Sequence, residues 1–175
     1  MIKKILTYPD KILRKKAKPV TEFDEDLQGL IKDLTDTMFN APGAGLAANQ
    51  IGVTKQVVVI NTSDKDNDED REAIALINPE ILDGEGSMID EEGCLSVREY
   101  VAKVKRFEKI MVRAQDAKGN TNEFDAEDFF ARVIQHECDH LAGKLFIDRI
   151  SSLKRTLYKK KIKKILKQEA ETEAG

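Results

Sequence analysis

The chain has 175 residues, 41% of them hydrophobic and 35% charged, with a net charge of −3. That is the length of one domain with a core of its own, and no run of eighteen apolar residues is present to cross a membrane as a helix. Two cysteines are too few for a disulfide scaffold, and the basic opening MIKKILTYPD lacks an apolar stretch of signal-peptide length, so a cytoplasmic protein is expected.

The first clear element is EFDEDLQGLIKDLTDTMFN, in which Leu27, Leu30, Ile31, Leu34 and Met38 recur at helical spacing. An amphipathic helix is predicted over 23–39, stopped by Pro42 and the glycines after it. KQVVVI (55–60) is a short β-branched run and reads as a strand. A polar, acidic surface loop follows over 61–72, and AIALINPEI resumes extended structure. EKIMVRAQDAKGNTNEFDA alternates on both sides of Lys-Gly-Asn, as a hairpin does. Asp125 is placed to cap a helix over about 126–142, with Asp128 in its first turn. A last helix, about 151–168, starts at a serine cap and carries Leu153, Leu157, Ile162, Ile165 and Leu166 on one side. Strands in the middle with helices before and after imply an α+β fold: small mixed or antiparallel sheets around a central helix, with N-terminal and C-terminal helices.

Both histidines of the chain fall in HECDH, residues 136–140. On a helix, positions i and i+4 project from one face a turn apart, so His136 and His140 can share a cation while Glu137 points beside them. In metalloproteases, a glutamate so placed takes a proton from water. A catalytic site needs about three protein ligands and an open position. With no third histidine, the last ligand must be Cys, Asp or Glu, and Cys94 in EEGCLSV stands out because Gly93 lets the backbone there turn or approach closely. Cys138, two residues from each histidine, points away from their shared face and reads as a small buried hydrophobe. In PGAGLAANQIG (42–52), small residues leave room for a ligand along the backbone, and Gln50 offers an amide donor.

Taken together, GAGLAANQ, EEGCLS and QHECDHLAG, in this order and at these intervals, resemble the three signature motifs of the peptide deformylases. The likeness extends to YPDKILRKKAKPV, INPEI and HLAGKLFIDRI and so covers nearly the whole chain, and a terminal helix after the last motif is similar to the bacterial type. The resemblance implies one catalytic domain over 1–175 that removes the formyl group from the N-terminal formyl-methionine of nascent peptides and releases formate. It implies Cys94, His136 and His140 as metal ligands, usually of Fe(II), with Ni, Co or Zn able to substitute. It implies Glu137 as the proton acceptor and donor, and Gln50 with the Leu95 backbone N–H as donors to the carbonyl oxygen. Ala44 and Gly45 would line the peptide site. Asp139 is a further family-like position, either fixing ligand geometry or pairing with Arg106. Two departures stand out: Ala44 where the family often has a branched residue, which implies a wider subsite, and Arg98 where proline is common, which puts the loop geometry after Cys94 in question.

Residues 151–175 hold eight Lys or Arg against three Glu, a net of +5, so the other 150 residues carry −8. A basic amphipathic helix on an acidic body suits phosphate, and ribosomal RNA is the partner expected for an enzyme of nascent chains. No motif for reading specific DNA is present. The alternatives are a metalloendopeptidase, which lacks its downstream ligand here, and a non-catalytic metal-containing RNA-binding protein, which would need neither Glu137 nor Gln50.

Overall fold

The computed structural model describes residues 1–63 and 70–174, so the middle of the acidic loop expected at 61–72 lies outside the described residues. Helix α1 spans Glu25–Asn40 and is capped by Asp24, whose side chain accepts from the Leu27 N–H at 3.0 Å. It is followed by β1 (Gly45–Ala47), β2 (Val57–Asn61) and β3 (Ala73–Glu85). Strands β4 (Met88–Cys94) and β5 (Val97–Arg106) form a separate two-stranded ribbon. Strands β6 (Lys109–Gln115) and β7 (Thr121–Glu127) make the expected hairpin, helix α2 is Asp128–Leu141, and helix α3 is Ser152–Ala174. The larger sheet runs β1-β2-β3-β6-β7, every pair antiparallel.

Strand β2 is apolar on both faces because a helix covers each. Val57 and Val59 pack with Leu27, Leu34 and Met38 of α1, while Val58 and Ile60 pack with Ala131 and Ile134 of α2. A strand buried on both sides has no polar alternation to show. A two-stranded ribbon is marginal by itself. Here a third cluster backs it, joining Val97 and Val104 to Leu13, Phe146, and Tyr158 and Ile162 of α3.

Two local expectations fail. Asp125 caps nothing: residues 125–127 stay in β7, with Asp125 opposite Met111 and Glu127 opposite Lys109, so the sheet ladder takes their backbone and α2 begins only at Asp128. On α3, Leu153 and Leu157 are exposed, and the inward stripe is buried Tyr158 and Ile162 with half-buried Ile165 and Leu166, at i, i+4, i+7 and i+8. Ser151 does cap this helix, its Oγ accepting from the Lys154 N–H at 3.2 Å. The helix also continues past 168 to Ala174. Among the described residues no helix is long and apolar enough to cross a membrane.

Candidate active site

Three elements converge on a cleft of about 240 Å³: the β1 segment, the turn between β4 and β5, and the buried side of α2. Helix α2 presents His136 and His140 on one face, with Nε2 atoms 3.2 Å apart. The β4 terminus brings Cys94 Sγ to 3.3 Å from His140 Nε2, and the three donor atoms all lie within 4.8 Å of one another. A tetrahedral ion with ordinary metal–nitrogen and metal–sulfur bonds holds its ligand atoms about 3.3–3.6 Å apart. The triangle therefore fits a transition metal, and a thiolate with two imidazoles suits one chemically.

Hydrogen bonding selects which nitrogen of His136 is free to ligate. Its Nδ1 donates to Glu92 Oε1 at 2.8 Å, which leaves Nε2 as the lone-pair donor. Glu92 sits two residues before Cys94, so strand alternation places it on the same face as the thiol. Arg106 holds Glu92 through Nε and NH2, both at 2.8 Å, and Arg132 adds a third contact. Arg106 also reaches Asp139 at 2.6 Å, and Asp139 is held again by Arg149 at 2.6 and 2.8 Å. The expected Asp139–Arg106 pair is thus one link in a chain that runs from the exposed Arg149 through buried Asp139, Arg106 and Glu92 to His136.

Burial works against charge on both acids, but the arginines outweigh it. Arg106 and His136 hold the Glu92 carboxyl well below the usual range, and Arg149 with Arg106 does the same for Asp139. Glu137 has no such partner: burial pushes its carboxyl up to about 7, and its Oε2 is buried without a hydrogen bond among the described residues. Burial and the neighbouring His136 hold His140 neutral. For His136 the burial penalty is outweighed by Cys94 and Glu92, which raise it well above its ordinary value. Burial pushes the Cys138 thiol up to about 12, and Cys138 packs against the α2 core cluster outside the ligand triangle, as expected of a small hydrophobe.

On the opposite wall, the short turn Ala48–Ile51 carries Gln50. Its Oε1 accepts from the Ala47 N–H at 3.0 Å, and its Nε2 donates to Ser96 Oγ at 3.0 Å and lies 3.7 Å from Cys94 Sγ. Ala44, Gly45 and Leu95 line the same cleft. All eight residues singled out from the sequence therefore come together. Glu92, Arg132 and Ser96 were missed. For Glu92 the signal was its i−2 spacing from Cys94; the Ser96 contact depends on two distant turns meeting and leaves no local pattern.

A family model described as Polypeptide deformylase matches residues 2–156, so most of α3 lies beyond the match. Among curated relatives, a peptide deformylase of Desulfotalea psychrophila is 53% identical over 163 residues, covering 93% of this chain and 96% of that protein. A crystal structure of a peptide deformylase from Legionella pneumophila is 47% identical, with a TM-score of 0.87 and coverage of 97% and 98%. One from Acinetobacter baumannii, determined with Met-Ala-Ser bound, is 32% identical with a TM-score of 0.79, covering 86% of this chain and 99% of that one. These similarities favour neither the endopeptidase nor the non-catalytic alternative. Fold, site chemistry and relatives agree: the chain belongs to the peptide deformylase family and is a metal-dependent hydrolase.

Proposed function

We propose that Cys94, His136 and His140 hold one divalent ion, Fe(II) in the first instance with Ni, Co or Zn able to replace it, and that the cleft deformylates the N-terminal formyl-methionine of nascent peptides. When bound, the ion supplies Lewis acidity and makes a water easier to deprotonate. Glu137 accepts that proton on Oε2 and returns it to the departing amine nitrogen. Its raised carboxyl suits both halves of the exchange. The Gln50 amide, with Oε1 tied to Ala47, has its Nε2 oriented to donate to the carbonyl oxygen as charge builds there, beside the Leu95 N–H. Ala44 and Gly45 offer backbone for the peptide, and the small side chain of Ala44 leaves its subsite wide.

One observation carries this reading. A thiol and two imidazole nitrogens form a ligand triangle in the same cleft as a buried carboxylate with an unpartnered oxygen. The test compares formate release from a formyl-methionyl tripeptide with acetate release from its acetyl twin, using Fe(II)-loaded protein purified without oxygen. Rapid formate release with little acetate is expected, because a formyl carbonyl carries only hydrogen and fits a narrow pocket. Cleavage of neither substrate with metal bound would overturn the reading, as would cleavage of an internal peptide bond.

Residues 1–175 act as one cytoplasmic catalytic unit in this proposal, since α3 shares a core cluster with Leu13 and β5. The exposed lysines of α3, among them Lys154, Lys159, Lys160, Lys163 and Lys164, then meet ribosomal RNA phosphates. Co-sedimentation with ribosomes that weakens steeply as salt rises is the expected result.

A further inference from the structure

Strand β5 departs from regular pairing where it faces the metal-binding thiol. Cys94 pairs with Val97, yet Gly93 pairs with Val101, so Arg98, Glu99 and Tyr100 form a bulge. Glu99 has a φ of 54°, a left-handed conformation that a side-chain-bearing residue keeps only when its surroundings impose it. Bulges beside active sites re-aim side chains, and this one lies four residues from a metal ligand.

Helix α3 grips every residue of the bulge. The Arg98 carbonyl accepts from the Tyr158 hydroxyl at 3.4 Å, and the Arg98 guanidinium donates to Glu169 at 2.8 Å. The Glu99 carbonyl accepts from Lys161 Nζ at 2.7 Å. The Tyr100 ring lies 4.8 Å from that of Tyr158, centroid to centroid. From Tyr100 the rings continue toward the site: Phe146 is stacked at 6.2 Å, and Phe146 is in turn stacked on His136 at 6.2 Å. Tyr158 itself is fully buried. The bulge thus touches the ligand triangle twice, through the chain to Cys94 and through Tyr100 and Phe146 to His136.

We propose that α3 is a clamp on this bulge, and that Tyr158 and Lys161 are positioning residues for the metal ligands, acting through Glu99 and Tyr100. The inference rests on Cys94 and His136 being ligands. A basic helix whose lysines all faced solvent would not need Lys161 turned back onto a strained carbonyl. The position of Glu99 explains the arrangement: where glycine would adopt this conformation freely, glutamate is held in it from outside.

The test uses the full-length protein loaded with Co(II), whose thiolate-to-metal absorption reports on Cys94. A Tyr158→Phe, Lys161→Met double variant removes the two polar grips on the Arg98 and Glu99 carbonyls, leaves the Arg98–Glu169 pair, and keeps the ring and the aliphatic stem. It should lose about tenfold in kcat with little change in KM, and shift the absorption band. Adding Glu99→Gly should restore both, because glycine needs no clamp. Leu157→Ala, on the exposed side of the same helix, should change neither. The proposal is overturned by an unaltered band and kcat in the double variant, by a loss that Glu99→Gly does not repair, or by an equal loss from Leu157→Ala. Should the double variant fail to fold, Lys161→Met alone, at an exposed position, must still shift the band and be rescued by Glu99→Gly; an unshifted band there overturns the clamp. Absence of the thiolate band in the unmutated Co(II) protein would instead remove the ligand reading on which the clamp depends.

Discussion

Gly45 and Glu137 touch across the cleft: a Cβ built on Gly45 would lie 3.0 Å from both Cγ and Oε1 of Glu137, and 3.0 Å from Cγ1 of Val133. Strand β1 can pass this close to α2 only because position 45 has no side chain. Gly45→Ala should therefore displace the Glu137 carboxyl by a few tenths of an ångström and lower kcat by about tenfold or more. Far-UV circular dichroism should stay unchanged, since β1 keeps its pairing with β2. Full activity in a folded Gly45→Ala protein would mean that Glu137 tolerates displacement.

Glu137→Ala should abolish turnover while leaving the metal in place. General acid–base groups contribute about a hundredfold to ten-thousandfold in rate. The three donor atoms belong to other side chains, so metal content per chain, measured after desalting, should match that of the unmutated protein. Loss of the metal together with activity would show that Glu137 supports the ligands rather than the proton transfer.

Arg106 bridges Glu92 and Asp139, and all three are buried. Arg106→Met would leave two carboxylates short of a partner, and breaking a buried pair from one side costs about 3–5 kcal/mol. The urea midpoint should fall accordingly. Because Glu92 orients His136, metal affinity should fall with it, by about tenfold to a hundredfold. A stable variant with weakened metal binding would separate the two effects.

The Arg14–Asp148 pair governs part of the acid stability. Burial raises the Asp148 carboxyl, but Arg14 and the Leu145 N–H outweigh it and hold the group below its ordinary value. A folded pKa below the unfolded one gives stability that is complete above the unfolded value, about pH 4. That stability is lost as pH falls through the lower folded value. Asp148→Asn should thus be less stable than the parent at neutral pH, by about 1 kcal/mol or less because both side chains are partly exposed. The gap should close below about pH 4. A gap that persists in acid would assign the loss to packing.

The Cys94, His136 and His140 cluster was legible in the sequence because its residue types are rare in it. With only two histidines and two cysteines, spacing alone separates Cys94 from Cys138. Helix α1 was legible because its apolar residues follow one period. What escaped was set by tertiary contact. Nothing near Asp125 reveals that β6 will claim its backbone and delay α2 to Asp128. The apolar residues of α3 suit either of two stripes, and only Tyr8, Tyr100 and Phe146 waiting on the body make Tyr158 the inward one rather than Leu157. The form of the segment after Cys94, a bulge in contact with a distant helix, depends on α3 docking.

The double-sided burial of β2 also leaves the strand without an inherent frame. A one-residue slip would exchange Val57 and Val59 for Val58 and Ile60, apolar for apolar, so hydrophobicity does not choose between the two alignments. The alignment is fixed at the strand's beginning by Asn78, whose left-handed backbone donates its N–H to the Gln56 carbonyl at 2.9 Å. Its side chain meanwhile exchanges hydrogen bonds with the Val20 backbone and donates to Gln115. Asn78 thus works as a reading-frame mark where β2 meets β3, set by a side-chain amide outside the cleft.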